Sequence, residues 1–260
     1  MIRKQEGRIG YVQFASFQSY NLFHAVFMRH GGASSPPWNS LNVGSTVGDD
    51  PDHVHENIRN IFTDFQLSPK SIHQVWQVHS ASVAFANSPS IGETPQKADA
   101  IITNSPQVSL FMRFADCVPI MLYDSVQHAI GIGHAGWLGT VRNAGAALTR
   151  AMVEKFGSRP ADLLAGLGPS IGPDHYTIGD EVVDQIIRAF RVGGEAHIKR
   201  VDGSNHLDLW TANRDLLERE GVTQIEVSEI CTACHLDDWF SHRAENGRTG
   251  RFGAMIVLGA

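Results

Sequence analysis

Residues 108–133 read VSLFMRFADCVPIMLYDSVQHAIGIG and contain three strand-length apolar runs, at 108–114, 118–123 and 129–133. Only short turns separate them. A chain that places three strands in succession without a helix between them does not build the regular alternation of a parallel α/β sheet. Similar runs occur at 9–14, 72–78, 163–167, 225–227 and 253–258. Four stretches instead carry a helical period. Asp50-Pro51 opens the first, with Val54, Ile58, Ile61 and Phe65 on one face. Thr140 is the expected cap of the second, which runs through Ala144, Leu148 and Met152 to Gly157. Asp180 is the expected cap of the third, with Val182, Val183, Ile186, Ile187 and Phe190. The fourth holds Leu209, Ala212, Leu216 and Leu217 and stops at Gly221. Strands outnumber helices about two to one, so the expected class is α+β, with mixed β-sheets and helices packed outside.

The 260 residues are 42% hydrophobic and 18% charged, which excludes a disordered or fibrous chain and suffices for a buried core. No repeat or linker divides the sequence, and residues 1–260 are read as a single domain. Lys and Arg total 21 against 27 for Asp and Glu, a net charge of −6, and the basic residues are scattered. No nucleic-acid partner is expected, because displacing counterions from phosphates needs a cationic face. A small anion held by a local arginine cluster is compatible with that balance. The apolar runs are too short to span a membrane, and no apolar h-region follows the N-terminal MIRKQEG. Three cysteines, Cys117, Cys231 and Cys234, do not make a disulfide framework. A cytoplasmic protein is expected, and the sequence leaves its oligomeric state open.

Reactive side chains concentrate in three patterns: Gln77-Val78-His79, Ala115-Asp116-Cys117-Val118-Pro119 and Gly133-His134-Ala135-Gly136-Trp137. Each sits at an expected strand end, and strand ends converge on one rim of a sheet. Two imidazoles and a thiolate make a sound zinc set that leaves a fourth position open for water or substrate, as catalytic sites do. The same residues suit a cysteine amidohydrolase with Cys117 as nucleophile and His134 or His79 as base. They also suit hydrogen-bonded core histidines beside a buried thiol. The patterns alone do not decide among these.

In this order, the patterns resemble those of the multicopper polyphenol oxidase (laccase-domain) family, better described as purine nucleoside phosphorylases. The resemblance extends along nearly the whole chain. Early motifs are Arg29-His30-Gly31-Gly32-Ala33-Ser34, Ser40-Leu41-Asn42-Val43-Gly44, Gly48-Asp49-Asp50 and Asn57. Later ones are Gly168-Pro169-Ser170-Ile171-Gly172, His206-Leu207-Asp208-Leu209, Cys231-Thr232, Phe240-Ser241-His242-Arg243 and Thr249-Gly250-Arg251. The resemblance implies sheets packed back to back with helices outside, in four layers α/β/β/α. It also implies zinc on residues matching His79, Cys117 and His134. The activities implied are phosphorolysis of adenosine, inosine, guanosine and methylthioadenosine, and deamination of adenosine. Substrate partners are then a purine nucleoside and phosphate.

Two positions depart from the family pattern. Arg243-Ala244 stands where an Arg-Arg pair is usual, and Cys234 converts Cys231-Thr232 into CTACH, residues 231–235. That string matches a c-type haem attachment pattern, but such attachment follows export, so no haem is expected and the pair is read as coincidental. Arg29, beside Gly31-Gly32, is a candidate phosphate ligand, the alternative being a turn with a surface arginine. Asn42 and Arg243 are further substrate-binding candidates. Asp116 is a catalytic candidate, as a proton carrier or as a carboxylate orienting a histidine. GLGPSIG, residues 166–172, is read as a turn lining the site, since its spacing does not fit a dinucleotide loop. Copper phenol oxidation is the older family label. The sequence has one His-x-His pair, His53 and His55, whereas cupredoxin-type multicopper oxidases need several, so copper is a lesser expectation than zinc.

Overall fold

The computed structural model describes residues 1–90 and 92–259. In chain order the strands begin with β1 (Ile2–Glu6), β2 (Ile9–Gln13), β3 (Leu22–Phe27), β4 (Ile72–His73) and β5 (Val83–Phe85). Then come β6 (Ala100–Thr103), β7 (Ser109–Phe114), β8 (Val118–Asp124), β9 (Ala129–Ala135) and β10 (Leu163–Leu167). The last five are β11 (Thr177–Ile178), β12 (Ile198–Val201), β13 (Ser204–Leu207), β14 (Gln224–Val227) and β15 (Phe252–Leu258). The α-helices are α1 (Pro51–Asp64), α2 (Trp137–Val141), α3 (Ala144–Phe156), α4 (Asp180–Phe190) and α5 (Leu209–Arg219).

Two six-stranded sheets carry the architecture, ordered β1-β2-β3-β15-β7-β4 and β14-β10-β8-β9-β6-β5, with a small sheet β11-β13-β12 beside them. The period-2 alternation of side chains fixes how they stack. On β7, Leu110, Met112 and Phe114 point into the core shared by the two large sheets, whereas Phe111 points the other way, toward Ile61 and Phe62 of α1. On β8, Met121 and Tyr123 join that shared core, while Val118, Ile120 and Leu122 face α3 and α5. On β15, Ala254 and Ile256 face in and Met255 and Val257 face α1. The result is α1, sheet, sheet, then α3 to α5: the four-layer α+β arrangement with the sheets back to back. Strands buried on both faces read as nearly continuous apolar runs, as β8 and β9 do, their polar residues Asp124 and His134 standing at or near the strand ends.

Local signals mostly act where expected. Asp50 caps α1 by accepting from the Asp52 amide, and Gly157 closes α3 in the left-handed region at φ 73°. Thr140 is not a cap: it lies inside α2, its hydroxyl donating to the Gly136 carbonyl, and Asn143, at φ 59°, separates α2 from α3. Asp180 is the first residue of α4 and Gly179 its N-cap. The run 72–78 is a strand only over Ile72–His73: beyond it the Gln74 amide donates to the Ser90 hydroxyl, Trp76 makes an isolated bridge with Lys97, and the amides of residues 78–80 turn to a carboxylate. The β12–β13 hairpin was missed although its Asp202-Gly203 turn, with φ of 46° and 79°, is a recognisable signal. Among the described residues, no helix is long and apolar enough to cross a membrane.

Candidate active site

Asp99, immediately before β6, organises the site. Its carboxylate accepts from three successive backbone amides, Val78 (3.1 Å), His79 (2.9 Å) and Ser80 (2.5 Å), and from the Ser80 hydroxyl (2.8 Å). Wrapping three amides around one anion forces an unusual backbone, and His79 accordingly sits at φ 57°. The same carboxylate accepts from Nδ1 of His134 at 3.0 Å, and the Asp99 carbonyl accepts the His134 amide at 2.8 Å. One buried aspartate therefore fixes the loop of the first histidine and the ring of the second. An imidazole that donates from Nδ1 presents Nε2 as its free donor atom.

His79, Cys117 and His134 offer ligand atoms all within 4.8 Å of one another, and the two imidazoles lie 5.0 Å apart between ring centroids. Cys117 enters from the turn between β7 and β8, and His134 from the end of β9. These strands pair in antiparallel register, Pro119 opposite His134, so the two residues meet although 17 positions separate them. Gly136 leaves the space they need, since a Cβ there would lie 2.6 Å from Cys117 Sγ. Burial alone raises the Cys117 thiol and lowers the His134 imidazole. Their mutual attraction, with Asp99 behind His134, outweighs this: the thiol falls below its usual range and the imidazole rises above it. Two neutral-capable nitrogens, one stabilised thiolate and a carboxylate orienting a histidine fit a zinc-type cation.

These residues line a cavity of about 580 Å³, of small-ligand size. Arg113, Arg243 and Arg251 supply positive charge, while Trp76, Trp137 and Tyr176 supply aromatic surface. Arg113 leaves the outer face of β7. Its Nη2 donates to Gln74 Oε1, and its buried Nε lacks a hydrogen-bond partner among the described residues. The Arg251 amide donates to Asn42 Oδ1 at 2.8 Å, and its stem packs where a Cβ on Gly44 would be. Burial lowers both guanidinium pKa values. Arg243 lies over the Tyr176 ring at 4.9 Å and donates from Nη1 to the Thr177 carbonyl at 2.7 Å. Burial, then the neighbouring Cys117, raises the Tyr176 phenol, which stays protonated and able to donate. His242 is pulled below its usual range by burial and then by Arg251, so its ring is neutral near pH 7.

The other residues singled out from the sequence have different placements. Arg29 does not reach this cavity. Its guanidinium is buried against the carbonyls of Asn39 (2.9 Å) and Leu236 (2.7 Å), pairs with Glu245 (3.3 Å) and stacks on Phe240. Asn42 is fully buried and holds Asp49, Gly44 and Arg251 together. Asp116, at φ 81°, lines the cavity, with one oxygen accepting from Thr232 Oγ1 (2.7 Å) and the other from the Arg243 amide (2.6 Å). The carboxylate on a histidine is Asp99, which the sequence reading missed. So were Arg113, Arg251 as a cavity residue, and Tyr176. Arg251 stands within the Thr-Gly-Arg motif, which was the available signal; an aspartate before a strand carried none.

Comparisons with known proteins place the chain in a family. Residues 23–259 match the family model described as multi-copper polyphenol oxidoreductase laccase. The chain is 36% identical over 240 residues to purine nucleoside phosphorylase YlmD of Bacillus subtilis (strain 168), covering 88% of this chain and 86% of that one. It is also 36% identical over 236 residues to a purine nucleoside phosphorylase of Deinococcus radiodurans, covering 90% and 88%. Among solved structures, YlmD from Geobacillus stearothermophilus superposes with a TM-score of 0.92 at 30% identity, covering 99% and 98%.

Proposed function

Since the chain belongs to the multi-copper polyphenol oxidoreductase laccase family, we propose that it is a zinc-dependent purine nucleoside phosphorylase with a second activity as adenosine deaminase. The substrates of this reading are adenosine, inosine, guanosine and methylthioadenosine, with phosphate as co-substrate, in a cytoplasmic protein whose 260 residues form one domain. The observation that carries it is a single cavity joining the His79, Cys117 and His134 donor set to three guanidinium groups and aromatic walls. The names of the relatives point the same way.

His79, Cys117 and His134 would hold the zinc ion, which when bound supplies Lewis-acid polarisation of an oxygen donor. The protein's own groups account for the rest. Arg113 and Arg251, with Arg243 at the rim, attract and orient phosphate through charge-assisted hydrogen bonds. Trp76, which is 50% exposed, and Trp137 offer flat faces to a purine. Tyr176 donates from its protonated hydroxyl, and neutral His242 carries one N–H donor and one acceptor nitrogen to move a proton at the departing base. Asp116 acts as a positioning residue that fixes Arg243 and the Thr232 loop, and Asn42 positions Arg251.

Adenosine and phosphate are expected to give adenine and ribose 1-phosphate, with inosine forming in the absence of phosphate. His79→Ala should depress both reactions. Arg251→Met should raise the phosphate KM by about tenfold or more while sparing deamination. A cysteine amidohydrolase is the second reading, favoured by the thiolate–imidazolium pair of Cys117 and His134. Hydrolysis of an amide through an acylated Cys117, with all purine nucleosides untouched by zinc-loaded protein, would replace the phosphorylase reading.

A further inference from the structure

The CTACH segment turns toward a second donor cluster outside the cavity. Cys231 is held by a bridge to Ser170, with the Thr232 amide donating to the Ser170 carbonyl, and the chain then turns through residues 232–234. This brings Cys234 Sγ to 3.5 Å and Cys231 Sγ to 3.8 Å from Nδ1 of His175, which lies in the turn after Gly172. All three donor atoms lie within 4.8 Å of one another. In a tetrahedral site with Zn–S of about 2.3 Å and Zn–N of about 2.0–2.1 Å, nitrogen and sulfur ligands stand about 3.5–3.6 Å apart. The Cys234 separation of 3.5 Å matches that edge, and the Cys231 separation of 3.8 Å lies within about 0.3 Å of it. The Gly172 amide also donates to Cys231 Sγ at 3.1 Å, which fixes the position of that sulfur.

We propose that His175, Cys231 and Cys234 form a second, structural metal site that takes a thiophilic divalent cation of the zinc class, with its fourth position open to solvent. The site clamps two loops that end at the active cavity. His175 is followed by Tyr176, which lines the cavity, and Cys231 by Thr232, which holds Asp116. The cation therefore stiffens one wall of the cavity without touching substrate. This assignment replaces the sequence reading of the cysteine pair as coincidental, and it does not depend on the phosphorylase reading.

The test is metal content of the reduced, full-length protein after chelator stripping and reloading with zinc alone. Two zinc ions per chain are expected, falling to one in Cys117→Ser and to one in Cys234→Ser, and to none in the double variant. Cys234 and His175 are exposed, so their replacement leaves the fold intact by circular dichroism. Cobalt(II) added to Cys117→Ser should give a thiolate charge-transfer band and tetrahedral d–d bands, both abolished by adding His175→Ala or Cys234→Ser. The proposal is overturned if wild type binds one zinc that vanishes entirely with Cys117→Ser, or if, with zinc present, dissolved oxygen as oxidant converts the two thiols to a Cys231–Cys234 disulfide faster than they bind the metal. Neither result bears on nucleoside turnover, which is measured separately.

Discussion

At the residue scale, Asp99 is the most informative side chain in the structure. Burial by itself would raise its carboxyl, but hydrogen bonds from His134 and Ser80 overcome this and hold it down at about 2. It is thus an anion throughout the working range, fixing the loop that carries His79 and orienting the ring of His134. Asp99→Asn keeps the shape but removes the charge, and zinc affinity should fall about 10- to 100-fold, read by competition with a chromogenic chelator. Unchanged affinity would mean that the histidines are positioned by something else. Arg29 makes the opposite point. A guanidinium beside two glycines suggests an anion site on paper, yet every described contact ties it to carbonyls, Glu245 and Phe240. Whether a guanidinium serves a ligand or the fold depends on which acceptors arrive from distant segments, and residues 236–245 arrive only on folding.

At the scale of one element, β3 contains a titration that bears on stability. His24 is stacked against Phe14 and packed beside Phe17, and its Nε2 accepts the Phe14 amide at 2.8 Å. Burial in this apolar setting lowers it to about 4. The folded state therefore binds fewer protons than the unfolded state between pH 6.5 and 4. Stability from this residue is complete above about pH 6.5 and declines as pH falls toward 4, by at most about 3 kcal/mol. The His24 ring resonances should titrate near pH 4 by NMR, and the urea midpoint should drop across that window. A midpoint near 6.5 for the ring would contradict the assignment. β3 was not recognised in the sequence because its apolar run is broken by this histidine, whose burial depends on Phe14 and Phe17.

At the scale of the whole molecule, the two faces of β7 offer a differential test. Phe114 lies in the core between the sheets, 5.4 Å from the His134 ring, whereas Phe111 faces α1 and packs near Phe62 and Phe27. Truncation of either to alanine should cost about 3–5 kcal/mol in chemical denaturation. Only Phe114→Ala should also weaken metal binding, because the cavity it leaves adjoins a ligand; equal metal affinity in the two variants would separate core from site. The α+β class behind this comparison was legible in the residues, whereas the back-to-back layer order came only from the family resemblance. Consecutive apolar runs at 108–133 exclude an alternating parallel sheet, and strands buried on both faces must sit between other layers. Helices α1, α3, α4 and α5 announced themselves through spacing and end signals, which act over a few residues and so are written locally. The His79, Cys117 and His134 set was also nameable as a candidate, from its patterns at expected strand ends together with the family resemblance, although in the structure Cys117 and His134 lie at strand ends and His79 in the loop between β4 and β5. Its carboxylate, its arginines and the fate of Arg29 and Asn42 were not. Hydrogen-bond partners and buried charges are settled by which segments the sheets bring within about 3 Å, and sequence spacing carries no record of that distance. The main helices, the long apolar strands and the candidate ligand residues were thus written in short-range chemistry of the sequence, whereas the division of polar side chains between scaffold and cavity was decided only by long-range packing.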